Sequence, residues 1–423
     1  MFMVAGLVCN FWILQLFSPD GRIENNFFKF GIHFIDAVLI GWGLLTVRFA
    51  DTDWVRSTNL TLLSFAILTP ILGFVMGEAM LRVSIAAGAK RFRAPGLYAY
   101  ELSEDDYWKL FALWDEPFAP DRIHPTLGWS QTYVTETNPL GLEERTLRQL
   151  HSNNSKILFY GDSFIKGKSD EEFQIPRFMT TKLPGTDVID MGVGGYGTDQ
   201  ILLLFKETHR LVENPLILLG NLTFDMDRAA LTIRGPLKPY FDVNDATMVP
   251  KGPPFARDQK PYLREHPPAI KSYLLALLRR KFSDPDTKQN LIESVNAKIM
   301  AEVKSIVDRE KLRLFYVIFY DEAELTTTRW REKFMRSQLE RLQLPYISTK
   351  EILLKYAETH NVPLSAFYKQ GDAHHNNLGN QVISEGIADY LKANDLLNPA
   401  SHTEQSSRAV LSSDRAQSVH DGR

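Results

Sequence analysis

The sequence predicts an α/β fold: a three-layer α/β/α sandwich around a mostly parallel five-stranded sheet, preceded by N-terminal transmembrane helices. Two observations predict the sandwich. Between residue 155 and about 394, short apolar runs of strand length alternate with stretches of helical periodicity. The first three runs stop at glycine, a residue of strand-to-helix turns. Strands that alternate with helices imply right-handed crossovers and a parallel sheet. A third observation predicts the membrane region. Residues 1–83 hold three apolar blocks, Phe2–Phe17, Phe30–Val47 and Leu60–Gly77, and a bilayer core takes about 20 apolar residues per helix.

The 423 residues leave room for two domains. The net charge of −3 gives no sign of a nucleic-acid partner. The single cysteine, Cys9, excludes an intrachain disulfide. The first apolar block is short, and no basic residue precedes it, unlike a cleavable signal peptide. The second carries His33 and Asp36, which are read as lying near a helix end or pairing between helices. Pro70 in the third is tolerable in lipid if its freed carbonyl finds a partner. The alternative for residues 1–83 is a buried helical core, but three such blocks in succession are hard to cover. Three crossings from a cytoplasmic N-terminus put residue 84 onward outside the cytoplasmic membrane. Arg82, Lys90, Arg91 and Arg93 pull the other way by the positive-inside rule.

Residues 84–154 read as a connector packing on the catalytic domain, broken by Pro95, Gly96, Pro117 and Pro120, with Trp129 against that domain's edge. The α/β domain follows over 155–394. Its strands are expected at 157–160, 186–191, 215–219, 312–319 and 344–348. Its helices are expected at 170–183, 198–212, 290–310, 331–342 and 377–393. A Pro-rich insertion spans about 227–268. Residues 395–423, rich in Ser, Asp, Arg, Gln and His, are expected to be disordered.

The organising stretch is Lys156–Gly167, KILFYGDSFIKG. Gly161 breaks the apolar run, and Asp162 and Ser163 are good N-cap residues. By itself, Gly-Asp-Ser is as well read as an ordinary capped turn. At the carboxyl end of a parallel strand, however, a serine faces the crevice where open α/β sheets bind ligands. Three more loops end on the same side: the glycine cluster Gly192–Gly197, the stretch Gly220–Asp225, and Gly371–Asn380 with Asp372, His374 and His375. Serine, histidine and aspartate together can supply a nucleophile, a base and an orienter. No zinc-like spacing of His and carboxylates appears, and no cofactor is called for.

At these residues the chain resembles the GDSL/SGNH hydrolase superfamily, in a membrane-anchored bacterial form, over roughly 125–394. Gly161-Asp162-Ser163-Phe164 matches the first block of that family. Asp190-Met191-Gly192-Val193-Gly194-Gly195-Tyr196-Gly197 matches the second, with Asp190 where the family usually has Asn. Asp372-x-His374-x-Asn376-x-x-Gly379 matches the last, about 210 residues after the first. The resemblance implies an SGNH, flavodoxin-like sandwich and a carboxylic ester hydrolase. In it Ser163 is the nucleophile, His374 the base and Asp372 the orienter of His374. The N–H groups of Ser163 and Gly195 would form the oxyanion hole, each donor worth about 3 kcal/mol. Asn221, Thr223 or no residue at all takes the place of the family's third donor. Asn221 serving only to end its strand is an equal reading. Asp162, His375 and Asn376 are read as substrate contacts, with His375 an exposed neighbour of the base.

The leading functional expectation is a membrane-anchored serine esterase acting on an O-acylated saccharide or lipid of the cell envelope. Its catalytic domain is expected on the extracytoplasmic side. One alternative is an O-acyltransferase with the same triad and a sugar hydroxyl in place of water. Another is a non-catalytic, membrane-anchored glycan-binding protein. The sequence does not set the acyl group or the oligomeric state.

Overall fold

The structure is a computed structural model. It describes residues 53–114, 122–244, 248–252, 255, 259–283 and 288–397, with isolated helical positions between 33 and 44. The chain forms two compact units, one of Met1–Glu116 with His266–Gln289, the other of Pro117–Glu265 with Asn290–Arg423.

In chain order, the first unit begins with helices α1 (Asp53–Ala86) and α2 (Asp105–Trp114). The second unit opens with a two-by-two-residue hairpin, β1 (Ile123–His124) and β2 (Gly128–Trp129), and helix α3 (Glu144–Leu150). It continues through β3 (Ser155–Gly161), α4 (Ser163–Lys166), α5 (Ile175–Lys182), β4 (Thr186–Gly192), α6 (Thr198–Thr208), β5 (Leu216–Leu222) and α7 (Asp225–Arg228). Helix α8 (Lys260–Glu265) follows, and the chain then returns to the first unit for α9 (Tyr273–Phe282). Back in the second unit come α10 (Gln289–Glu310), β6 (Arg313–Phe319), α11 (Trp330–Arg341), β7 (Tyr346–Ser348), α12 (Thr349–His360) and α13 (Asn377–Ala393).

The described strands β3 to β7 make one five-stranded sheet in the order β4-β3-β5-β6-β7, and every pair in it is parallel. The order reverses direction at β3, whose neighbours lead away on opposite sides. Ligand crevices of open α/β sheets form at such a point, and Ser163 follows β3 directly. The strands are nearly continuous apolar runs because both faces are covered. Leu216 to Leu222 is buried throughout, as are Leu314 to Phe319.

Three features differ from expectation. Strand β5 runs on through Gly220 and Asn221 to Leu222, because β6 pairs with it over seven residues, Leu216↔Arg313 to Leu222↔Phe319. Helix α12 was not anticipated, since it starts on the residue after β7 with no glycine or proline between them. Residues 266–289, expected inside the α/β domain, belong to the first unit, where Ile270, Tyr273, Ala276 and Leu277 pack on the core of Ile85, Tyr98 and Leu110.

Among the expected membrane blocks, the first two lie outside the described residues, apart from the isolated helical positions. The third lies within α1, with Pro70 inside the helix. No helix of the described residues is long and apolar enough to cross a membrane. Of the expected disordered tail, residues 398–423 lie outside the described residues.

Candidate active site

Ser163 is held by an unusually close approach of helix to sheet. Three adjacent strands each carry a glycine under the turn that holds it, Gly161 and Gly192 at the ends of β3 and β4 and Gly220 two residues before the end of β5. A Cβ on Gly161 would lie 2.3 Å from Ile165 Cγ1, one on Gly192 2.9 Å from Ile165 Cβ, and one on Gly220 2.7 Å from Ile165 Cδ1. Ile165 therefore seats α4 directly on β4, β3 and β5. The Asp162 side chain caps this short helix, accepting from Phe164 N at 2.8 Å.

The partner histidine arrives from the loop before α13. Nε2 of His374 lies 2.7 Å from Ser163 Oγ. Oδ1 of Asp372 takes the other ring nitrogen, Nδ1, at 2.5 Å and the His374 backbone N–H at 3.1 Å. Phe164 stacks on the imidazole, with ring centroids 4.9 Å apart. Partial burial pulls the Asp372 carboxyl upward. The bonds from the His374 ring and backbone outweigh it, and with the charges of His374 and Lys168, whose Nζ is 3.4 Å away, hold it down at about 2. An ionised Asp372 fixes Nδ1 as the protonated nitrogen and leaves Nε2 to accept from Ser163 Oγ.

The glycine loop forms the facing wall. A Cβ on Gly194 would lie 3.9 Å from Ser163 Cβ. Gly195 has φ +86°, and a Cβ there would meet Arg234 Nη1 at 2.8 Å, so both backbone shape and space call for glycine. Among the described residues, no hydrogen bond engages the N–H of Ser163 or of Gly195. The loop is braced from the connector. Trp129 Nε1 donates to Gly194 O at 3.0 Å, and the Tyr196 hydroxyl donates to Trp129 O. Gln131 Nε2 donates to Asp190 O at 2.9 Å and Gly192 O at 3.0 Å. Trp129 thus holds this loop and does more than pack at an edge. Asn221 is buried in β5, opposite Ile318, and its amide makes no hydrogen bond among the described residues.

A buried ionic network lies behind the serine. Arg228 Nη1 donates to Asp162 Oδ2 at 2.7 Å, to Asp225, and to Tyr196 O at 3.0 Å. Arg331 grips Asp227 with two bonds of 2.6 and 2.8 Å. Burial, together with the neighbouring Asp162 carboxylate, pushes Asp225 well above the usual carboxylate range. One guanidinium therefore ties the nucleophile turn to the loop that carries Gly195.

Each of the three expected substrate contacts has a structural role, and Asn376 also lines an open groove with Asn377. Asp162 is 1% exposed and spent on its cap and on Arg228. His375 is buried, not exposed: it packs among Phe164, Phe319 and Tyr368. Burial first, then the nearby His374, depresses its imidazole to about 3, so it stays neutral. Asn376 caps α13, accepting from Gly379 N at 3.0 Å and donating to Ala366 O and Tyr368 O. Arg228, Arg234 and Lys168 were not foreseen. Arg228 alone left a signal, in the run Asp225-Met226-Asp227-Arg228 after a strand end. No group of three or more His, Cys, Asp or Glu able to hold a metal ion occurs among the described residues.

No family model matches the sequence, and no curated protein matches it. Solved structures do resemble it. A lipase/acylhydrolase from Enterococcus faecalis is 15% identical, over 57% of this chain and 96% of that one, with a TM-score of 0.31. A member of the lipolytic G-D-S-L family from Veillonella parvula is 9% identical, over 56% and 98%, at 0.31. An acetyl xylan esterase is 12% identical, over 56% and 99%, at 0.35. These likenesses are weak, and the functional reading rests on the site's own geometry.

Proposed function

We propose that the chain is a membrane-anchored serine ester hydrolase of SGNH type that removes O-acyl groups from a cell-envelope saccharide or lipid. The observation that carries the ester chemistry is the bond of 2.7 Å between His374 Nε2 and Ser163 Oγ, with Asp372 on Nδ1. In this reading the Ser163 proton passes to His374 Nε2 as Oγ attacks the acyl carbon. The N–H groups of Ser163 and Gly195 receive the oxyanion, and the Asn221 amide, without a hydrogen-bond partner among the described residues, is the third donor. Asp372 stabilises the imidazolium. His374 then protonates the departing alcohol, and water, deprotonated by His374, releases the acyl group.

An open groove of about 400 Å³ beside the Asp372 loop, lined by Ser169, Asp170, Lys369 and Asn377 among others, offers polar ground for a saccharide. Membrane anchoring is supported by α1. Residues 57–77 carry no charged side chain, and Ile71, Leu72, Val75, Met76, Met80 and Val83 are exposed on it. An exposed apolar face of this kind favours an apolar surrounding. In this reading the domain lies on the outer face, where three crossings from a cytoplasmic N-terminus would put it.

A fluorophosphonate probe tests the chemistry. Labelling of the wild type that is lost in Ser163→Ala, alongside hydrolysis of short aryl esters, is expected. A wild type that neither labels nor turns over any ester returns the chain to the glycan-binding reading. An alkaline phosphatase fusion near residue 400 tests placement: activity is expected, and its absence beside a fluorescent cytoplasmic reporter reverses the topology.

A further inference from the structure

We propose that α9 is a second membrane contact, lying in the interface of an anionic bilayer beside α1. This rests on the anchoring reading above and adds to it a surface far along the sequence from the apolar blocks.

Helix α9 has two apolar faces. Tyr273, Ala276 and Leu277 pack inward on the core of Ile85, Tyr98 and Leu110. Leu275 and Leu278 point away from it and are 59% and 40% exposed. With Phe282 they recur at the i, i+3, i+7 spacing of one helical stripe. Its last turn holds Arg279, Arg280 and Lys281. Arg280 stacks on the Tyr100 ring at 3.6 Å, and Arg279 lies 3.9 Å from Glu104, while Lys271, Arg279 and Lys281 are exposed. An exposed apolar stripe edged by cations matches a helix that sinks its leucines among acyl chains and leaves its cations with anionic headgroups.

The height of α9 along α1 supports the same occupant. The uncharged stretch of α1 ends at Gly77. The next residue, Glu78, holds the start of α9: its carboxylate accepts from Ser272 Oγ at 2.9 Å, Tyr273 N at 3.2 Å and Leu274 N at 2.8 Å. Arg82 bonds Glu78 at 2.6 Å and Lys271 O at 2.7 Å. A Cβ on Gly77 would lie 3.0 Å from Leu274 Cδ2, so the two helices meet closely there. The exposed leucines therefore start where the uncharged stretch of α1 stops and its charges begin, the level at which an apolar face gives way to headgroups.

Since Cys9 is the only cysteine, the full chain with Cys9→Ser accepts one reporter cysteine at a time. An environment-sensitive fluorophore is placed at Leu275→Cys, Leu278→Cys, Met76→Cys in α1 and Glu358→Cys as a water control. Each variant is reconstituted in phosphatidylglycerol vesicles carrying shallow or deep doxyl-labelled lipid. Quenching at 275 and 278, stronger by the shallow than by the deep label, is expected, with Met76 quenched and Glu358 unaffected. Adding Arg279→Glu and Lys281→Glu is expected to weaken the quenching at 278. Quenching at 76 with none at 275 and 278 overturns the proposal and leaves anchoring standing. No quenching at any site overturns both. A blue shift at 278 without lipid quenching assigns the face to a protein neighbour and also overturns it.

Discussion

Ser163 stands between two carboxylate systems with opposite surroundings. On one side Asp372 has a side chain 34% exposed and a single imidazole to hold, with Lys168 nearby. On the other, Asp162, Asp225 and Asp227 have side chains at most 1% exposed and are locked to Arg228 and Arg331. The difference separates two tasks. A carboxylate that stabilises a charge appearing on His374 must itself be ionised before the reaction, and its partners and partial hydration keep it so. A carboxylate that sets geometry gains from having no freedom at all, and full pairing in a dry interior supplies that. Loss on the Asp372 side should therefore be seen as rate, and loss on the Arg228 side mainly as stability.

The largest effect belongs to the front pair. Ser163→Ala and His374→Ala should each lower ester turnover by about 10⁶, with unfolding midpoints close to wild type, because the bonds of both side chains lie at the partly exposed edge of the site. Steady-state kinetics beside thermal unfolding checks both halves. A large loss of stability in either variant would erase the distinction between the two sides. Asp372→Asn comes next, at about 10⁴ in turnover, since the amide holds the wrong tautomer. A loss nearer tenfold would mean that Phe164 stacking and Ser163 position the ring without Asp372.

Arg228→Met breaks the comparison from behind. It strands Asp162 and Asp225 without their cation, and removing one partner of a buried pair costs about 3–5 kcal/mol. Urea unfolding should show most of that, with turnover lowered far less than in Asp372→Asn, through a slackened Tyr196 carbonyl and nucleophile turn. An Arg228→Met protein of wild-type stability whose turnover is nonetheless abolished would make Arg228 part of the chemistry and not of the frame.

How much of this the sequence displayed follows from the range of each interaction. The sheet was legible because five apolar runs with breakers between them are local patterns. Ser163 was singled out by its local strand-end turn, and Asp372 and His374 were chosen because Asp372-x-His374-x-Asn376 matches the last block of the family the chain resembles. The seating of Ile165 on Gly161, Gly192 and Gly220 needs three strands to be neighbours, which only the strand order reveals. The same holds for Arg228, 66 residues from Asp162. His375 was misplaced because adjacent histidines look alike in a sequence. The backbone sends one toward Ser163 and the other in among Phe164, Phe319 and Tyr368. The return of 266–289 to the first unit was hidden because α9's inward residues find their partners about 180 positions away.

Asp190 is the intermediate case and the smallest expected effect. It sits under the glycine loop, accepting from Gly192 N at 2.8 Å, with no cation bonded directly to its carboxylate. Burial raises its carboxyl to about 6, and the more distant Lys166 charge only partly offsets this. A raised native value means that between about pH 4 and pH 6 the folded chain keeps a proton the unfolded chain has released. The stability it contributes is therefore complete below about pH 4 and is lost as pH rises through about 6. Asp190→Asn removes that slope while its amide oxygen can still accept from Gly192 N. The variant should be more stable than wild type at pH 8, by about 1–2 kcal/mol given that Asp190 keeps some exposed surface, and nearly equal to it at pH 4. Urea unfolding of both proteins across this range reads the difference. A gain that does not change with pH would show that Asp190 is ionised at no cost in the fold, and that the carboxylates around Ser163 divide by pairing alone and not by burial.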